Sequence, residues 1–225
     1  MNKKSPSYVI GFMVVLSIVF GAAIAAVYNL TAPITRQNEL LNRNRAIANA
    51  FGLRVSGSSA AAYESAVARD ITHDTLEGTD RTWDVFTRKE APRSVGFVFR
   101  GIGFWDAVSG IIVLSSDLST ILGIRFLEQH ETPGLGARIE EAWFCRQFEG
   151  KKIAWNNPID QRIIIGAGAK DLTNRVDGIT GATQTTLALA RMLNDDLEGF
   201  KNAFEKTPHQ TNGKAANAIG SVACR

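Results

Sequence analysis

The sequence predicts an α+β domain carried by a single N-terminal transmembrane helix. Three observations predict it. Residues Tyr8 to Leu30 form an uncharged apolar run. Short β-branched and aromatic runs, punctuated by turn residues, recur between positions 95 and 165. One long amphipathic stretch follows near the C-terminus. Helices and an antiparallel hairpin in separate blocks, without regular strand–helix alternation, give the α+β class.

The apolar run matches the roughly 20 residues that cross a bilayer as a helix. Tyr8 and Tyr28 stand near its two ends, where aromatic rings favour the interface. Lys3 and Lys4 precede it, which keeps the N-terminus cytoplasmic and sends the remainder outside. Arg36, Arg43 and Arg45 on the far side weaken that asymmetry without reversing it. The competing reading is a cleaved signal with Ala23-Ile24-Ala25 at the cleavage site. The run exceeds the 7–15 apolar residues of a usual signal, so a retained anchor is expected.

Residues 31–52 follow as a polar-faced helix with Pro33 in its first turn, where proline is tolerated. Leu40, Ile47 and Phe51 recur near helical spacing. Ser56-Gly57-Ser58-Ser59 marks a loop before a short alanine-rich helix, and the polar stretch 70–94 gives no clear pattern. Strands are expected at 95–99, 110–114 and 121–127, the last two joined as a hairpin across Ser115-Ser116-Asp117. A short helix over 137–148 is expected to bury Ile139, Ala142 and Trp143, and 162–165 is a further strand. The last helix spans about 184–206 with the stripe Leu187, Ala190, Leu193, Leu197, Phe200 and Phe204, and Pro208 stops it. The small polar stretch 208–225 is expected to be disordered.

Of the 225 residues, 45% are hydrophobic and 21% charged, enough apolar material for a core. The net charge of +3 is spread along the chain. No Lys/Arg block of the kind nucleic-acid binding needs is present. Cys145 and Cys224 form no C-x-x-C and no Cys/His cluster, so no metal or iron–sulfur site is expected. A free thiol at Cys224, next to the chain end, is preferred to a disulfide.

Three segments stand out chemically. Asp177-Gly178-Ile179-Thr180-Gly181-Ala182-Thr183-Gln184-Thr185 leads into the last helix. Gly181 and Ala182 leave the backbone open, and Thr183 falls at or near the N-cap, a position threonine favours. An anion there would meet free N–H groups and the positive end of the helix. Taken alone, the residues fit an ordinary N-capped helix after a tight turn better than an anion site. Glu131-Thr132-Pro133-Gly134-Leu135-Gly136 offers two glycines and an apolar side chain to something flat, or is a plain glycine-rich loop. Gly101-Ile102-Gly103-Phe104-Trp105-Asp106 borders an aromatic ligand or supplies core aromatics.

Together the segments resemble one family, the covalent-FMN proteins RnfG and NqrC of two membrane redox pumps. The first pump is the Rnf-type ferredoxin:NAD oxidoreductase, the second the sodium-translocating NADH:quinone reductase. The family's attachment pattern D-x-x-[ST]-G-A-T-x-[ST] is filled by Asp177, Thr180, Gly181, Ala182, Thr183 and Thr185. E-T-P-G-L-G matches at 131–136, and a G-x-G-F-W-D-like stretch at 101–106. The resemblance covers roughly residues 8–200.

The resemblance implies that the Thr183 hydroxyl is esterified to the phosphate of FMN. It also implies that Asp177, Thr180, Gly181 and Thr185 are read by a flavin transferase, and that Glu131, Thr132, Pro133, Gly134, Leu135, Gly136 and Trp105 flank the isoalloxazine. The expected organisation is an anchor over 1–30, an extracytoplasmic FMN-binding domain over 31–207 and a tail over 208–225. The chain is then a single-pass protein of the inner (cell) membrane, with its FMN domain on the periplasmic side. It would relay single electrons among the other proteins of an Rnf- or quinone-reductase-type complex, with no stand-alone catalysis. A membrane-tethered FMN domain of another reductase and a non-redox binding module are the alternatives. His130 beside the loop is expected to be a solvated side chain rather than a tuner of the flavin.

Overall fold

Residues 6–79, 81–166 and 173–206 are described by the computed structural model; the stretch 208–225 and Cys224 lie outside them. The anchor and the polar helix after it form one continuous helix, α1 (Pro6–Ala50), which runs through Pro33. Its first half is apolar and exposed on every side, as at Phe12, Phe20 and Leu30. A helix of this length without a buried stripe suits lipid rather than a protein core. The chain therefore has one N-terminal helix with the length and composition of a single-pass anchor.

Helix α2 (Ala60–Asp70) begins at Ser59, whose hydroxyl accepts the N–H of Ala62 at 3.2 Å, an N-cap that satisfies one otherwise unpaired donor. An antiparallel meander follows: β1 (Ile71–Glu77), β2 (Thr82–Arg88), β3 (Ser94–Ile102), β4 (Ala107–Ser115) and β5 (Ile121–Glu128), paired in sequence order. The three expected strands are β3, β4 and β5. The unassigned stretch 70–94 supplies β1 and β2. Four of the seven residues in β1 are exposed in unbroken succession, so an edge strand here shows no alternation to read.

Both faces of the central strands are covered, which is why β3 and β4 look uniformly apolar in sequence. Phe97, Phe99, Ile112 and Leu114 point to one side, and Val98, Ile111 and Val113 to the other. The second side is closed by Ala46, Ile47, Ala50 and Phe51 of α1. Glycine is required where they meet, because a Cβ on Gly123 of β5 would strike the carbonyl oxygen of Ala50.

The first side is closed by α4 (Thr183–Lys206), the last helix. Phe200 stacks on Phe97 with ring centroids 4.2 Å apart. The buried face of α4 is Leu189, Met192, Leu193, Leu197, Phe200 and Ala203. The stripe read from sequence is corrected at Leu187, which is 50% exposed: Thr185 and Leu189 occupy the sheet-facing positions, and Leu187 lies on the far side of the turn. Between β5 and α4 run a 3₁₀ turn (Gly136–Glu140), α3 (Ala142–Arg146), a second 3₁₀ turn (Ile159–Gln161) and a parallel pair, β6 (Ile164–Ile165) with β7 (Arg175–Val176). The single helix expected at 137–148 is thus two short pieces. Ile139 is buried, but Phe144 and Cys145 fill the core in place of Ala142 and Trp143.

Candidate functional site

The three segments singled out in the sequence converge at the N-terminus of α4. Thr183 is its first helical residue and is exposed. The turn before it closes with the Ala182 N–H donating to the Ile179 carbonyl at 3.0 Å. Gly181 has φ +82°, a conformation that glycine adopts without steric cost. The hydroxyls nearby divide sharply. Thr186 Oγ1 donates to the Ala182 carbonyl at 2.9 Å and Thr185 Oγ1 donates to Glu131 Oε2 at 2.7 Å, both buried. Thr180 and Thr183 are exposed.

The glycine loop lies against that turn. The Thr132 carbonyl accepts the N–H groups of Leu135 at 3.1 Å and Ala137 at 3.2 Å, folding the loop back on itself. Gly134 sits at φ +76° with open space where a side chain would begin. Thr132, Pro133 and Leu135 are exposed. At Gly136 a Cβ would come within 2.6 Å of Thr185 Oγ1 and 2.7 Å of Glu131 Oε2, so only glycine fits.

The aromatic segment completes the site from the end of β3. The Gly103 N–H donates to the Asp106 carbonyl at 2.8 Å, forming a tight turn. At its tip Phe104 and Trp105 pack edge to face, centroids 5.0 Å apart, and stand 51% and 67% exposed. Ile102, Leu135 and Leu187 are also exposed. These apolar side chains belong to the elements that meet at Thr183, and so large an unpartnered set points to a ligand or partner. His130 is solvated beside Asp106, 3.6 Å away.

Of the residues named from sequence, Thr183, Thr180, Gly181, Thr132, Pro133, Gly134, Leu135 and Trp105 lie at the surface of this region. Glu131, Gly136, Ala182 and Thr185 lie beneath it. Asp177 is exposed and pairs with Arg175 at 3.0 Å. Two supporting residues carried no signal in the sequence. Arg175 is nearly buried and also donates to the Gly166 carbonyl at 3.0 Å. Gln147 clasps the Asp177 backbone, accepting its N–H at 3.0 Å and donating to its carbonyl at 3.4 Å. The place of Leu187 beside the site was likewise legible only once the fold set it there. Cys145 is shut away from the site, and burial pushes its thiol up to about 11, so it stays protonated and inert near neutrality. Among the described residues no cluster of His, Cys, Asp or Glu could hold a metal.

The residues present fit FMN. A phosphate at Thr183 would meet the unpaired N–H groups of the first turn of α4, beside exposed apolar side chains of ring size. Fold and site together define an FMN-binding domain, and the FMN-binding domain family matches residues 103–198. Beyond that domain, the chain is similar to the RnfG/NqrC group of FMN-binding proteins.

A crystal structure of the NqrC protein of Na+-translocating NADH-quinone reductase from Parabacteroides distasonis superposes with a TM-score of 0.65 at 25% identity. It covers 78% of this chain and 97% of that one. The corresponding reductase protein of Neisseria meningitidis serogroup B is 30% identical over 143 residues, covering 60% of this chain and 54% of the relative. That of Chlamydia caviae is 30% identical over 136 residues, covering 53% and 42%. The chain thus spans about half the length of these curated relatives.

Proposed function

We propose that this chain is the electron-transfer component of a membrane-bound, ion-translocating oxidoreductase of the Rnf or NADH:quinone reductase type, relaying single electrons through FMN esterified to Thr183. The observation that carries the reading is the sorting of hydroxyls in the attachment segment. Thr185 and Thr186 are buried and hydrogen-bonded, whereas the Thr183 hydroxyl is open at the positive end of α4. Thr180 is also open but precedes the turn at Gly181, away from the helical N–H groups that favour a phosphate.

FMN supplies the one-electron chemistry when bound, and the protein tethers and orients it. The phosphoester keeps the cofactor on a domain that works outside the cytoplasm, where free FMN would be lost. Asp177, Thr180 and Gly181, all exposed, are the accessible part of the segment for a flavin transferase. Gln147 and Arg175 hold Asp177 in place for it. The anchor occupies 1–30, the FMN domain 31–207, and the domain faces the periplasm, as the Lys3-Lys4 pair before the span favours. Other proteins of the complex provide the donor and acceptor.

The deciding experiment is mass spectrometry of the tryptic peptide ending at Arg191, from protein made with a flavin transferase. An FMN phosphoester on Thr183, absent from Thr183→Ala, is expected. Flavin on Thr180, Thr185 or Thr186, or retained in the variant, refutes the assignment.

A further inference from the structure

Glu131 is 4% exposed, yet it forms no ion pair with any described residue. A buried carboxylate is costly unless donors satisfy it, and three do. Oε1 accepts the backbone N–H groups of Phe104 at 2.7 Å and Trp105 at 3.1 Å. Oε2 accepts the Thr185 hydroxyl at 2.7 Å. One side chain therefore joins the tip of the aromatic turn to the first turn of α4, while its own backbone begins the glycine loop. Room is kept for it on both flanks, since a Cβ at Gly103 would strike Oε1 and one at Gly136 would come within 2.7 Å of Oε2.

We infer that Glu131 is a positioning residue. It does not face the ring; it fixes Phe104 and Trp105 relative to Thr183, so that the apolar surface and the attachment point share one geometry. Thr185 serves as its latch rather than as a surface feature of the attachment segment. The inference rests on the flavin reading above, since the geometry it fixes is that between the ring surface and the phosphate anchor.

Amide hydrogen exchange on the full chain in detergent, with and without flavin, tests it alongside redox titration. In Glu131→Ala the Phe104 and Trp105 amides should exchange on the order of tenfold faster or more, as loss of a charge-assisted bond implies. Amides in the centres of β3 and β4 should be unchanged, and both one-electron potentials of the flavin should shift. Glu131→Gln should restore slow exchange, its amide carbonyl taking the two N–H groups while its NH₂ turns to the Thr185 oxygen. Should the Ala variant fail to fold, Thr185→Val replaces it. That variant should keep both amides protected and still shift the potentials, because the link to α4 alone is cut. Unchanged exchange at 104 and 105 in Glu131→Ala overturns the inference, as do wild-type potentials in Thr185→Val. Wild-type protein lacking flavin at Thr183 would instead overturn the proposed function, while exchange at 104 and 105 would still report on the clamp.

Discussion

Leu135 lies over Gly181: a side chain begun at position 181 would come within 3.1 Å of Leu135 Cδ2, where the backbone φ is +82°. The glycine loop thus roofs the turn that delivers Thr183. Gly181→Ala must adopt a left-handed conformation and press on Leu135, at a cost of about 1–2 kcal/mol. The domain should survive with a lowered melting temperature, and the fraction of chains carrying flavin should fall. Thermal unfolding and intact-mass measurement check both; wild-type values for each would show that the turn does not need glycine.

Thr183 and Thr185, two residues apart, should behave oppositely. Thr183→Ala alters an exposed side chain and should change stability by less than about 0.5 kcal/mol while abolishing covalent flavin. Thr185→Ala leaves a buried Glu131 oxygen without its partner and should cost about 1–3 kcal/mol. Urea unfolding of the flavin-free forms separates them, and equal losses would contradict the burial pattern.

Gln147→Ala removes both bonds to the Asp177 backbone, each a net contribution of about 0.5–1.5 kcal/mol. The expected result is slower flavin incorporation by the transferase at little change in global unfolding. A time course of incorporation is the measurement, and an unaltered rate would mean that Asp177 is held adequately by Arg175.

Asp117, at the β4–β5 turn, accepts hydrogen bonds from the hydroxyls of Ser115 at 2.5 Å and Ser119 at 2.8 Å. These hold its carboxyl down at about 2. A depressed folded-state pKa means that the stabilisation is complete above the unfolded value near 3.9. It is lost as pH falls from there towards 2. Stability measured over that window should decline less steeply in Asp117→Asn than in wild type; parallel curves would remove the turn from the acid response.

Gly123→Val should drive a side chain into the carbonyl of Ala50 and loosen α1 from β5, with an overpacking cost of about 1–3 kcal/mol. Limited proteolysis between residues 31 and 50 should become faster than in wild type. If cleavage is unchanged, the helix end is not held by that contact.

Central strands and the last helix were legible because their signals are local. Val95 to Phe99 and Gly110 to Leu114 are apolar throughout, as strands covered on both faces must be. β1 was not legible, since Thr72 to Thr75 are exposed in succession. Leu187 belonged to a plausible stripe and proved to be surface, for helical periodicity cannot tell a core residue from an exposed apolar one. The segment 177–185 fills the family pattern residue by residue. The bond from Thr185 to Glu131 was not legible, because it joins positions 54 apart in the chain and both residue types are ordinarily exposed.

Helix α1 passes from the apolar span into the underside of the sheet without a break. From Leu30 to Ala46 it rises about 24 Å at 1.5 Å per residue. The domain is therefore mounted on a strut and not on a leash. Proline at 33 lacks the N–H that would bond the carbonyl one turn back, so bending is easiest there. Motion concentrated at that joint would swing the whole domain along an arc of nearly constant radius. Under the proposed relay role, a domain so mounted would meet its redox partners at a set height above the bilayer and reach one after another by tilting rather than by wandering.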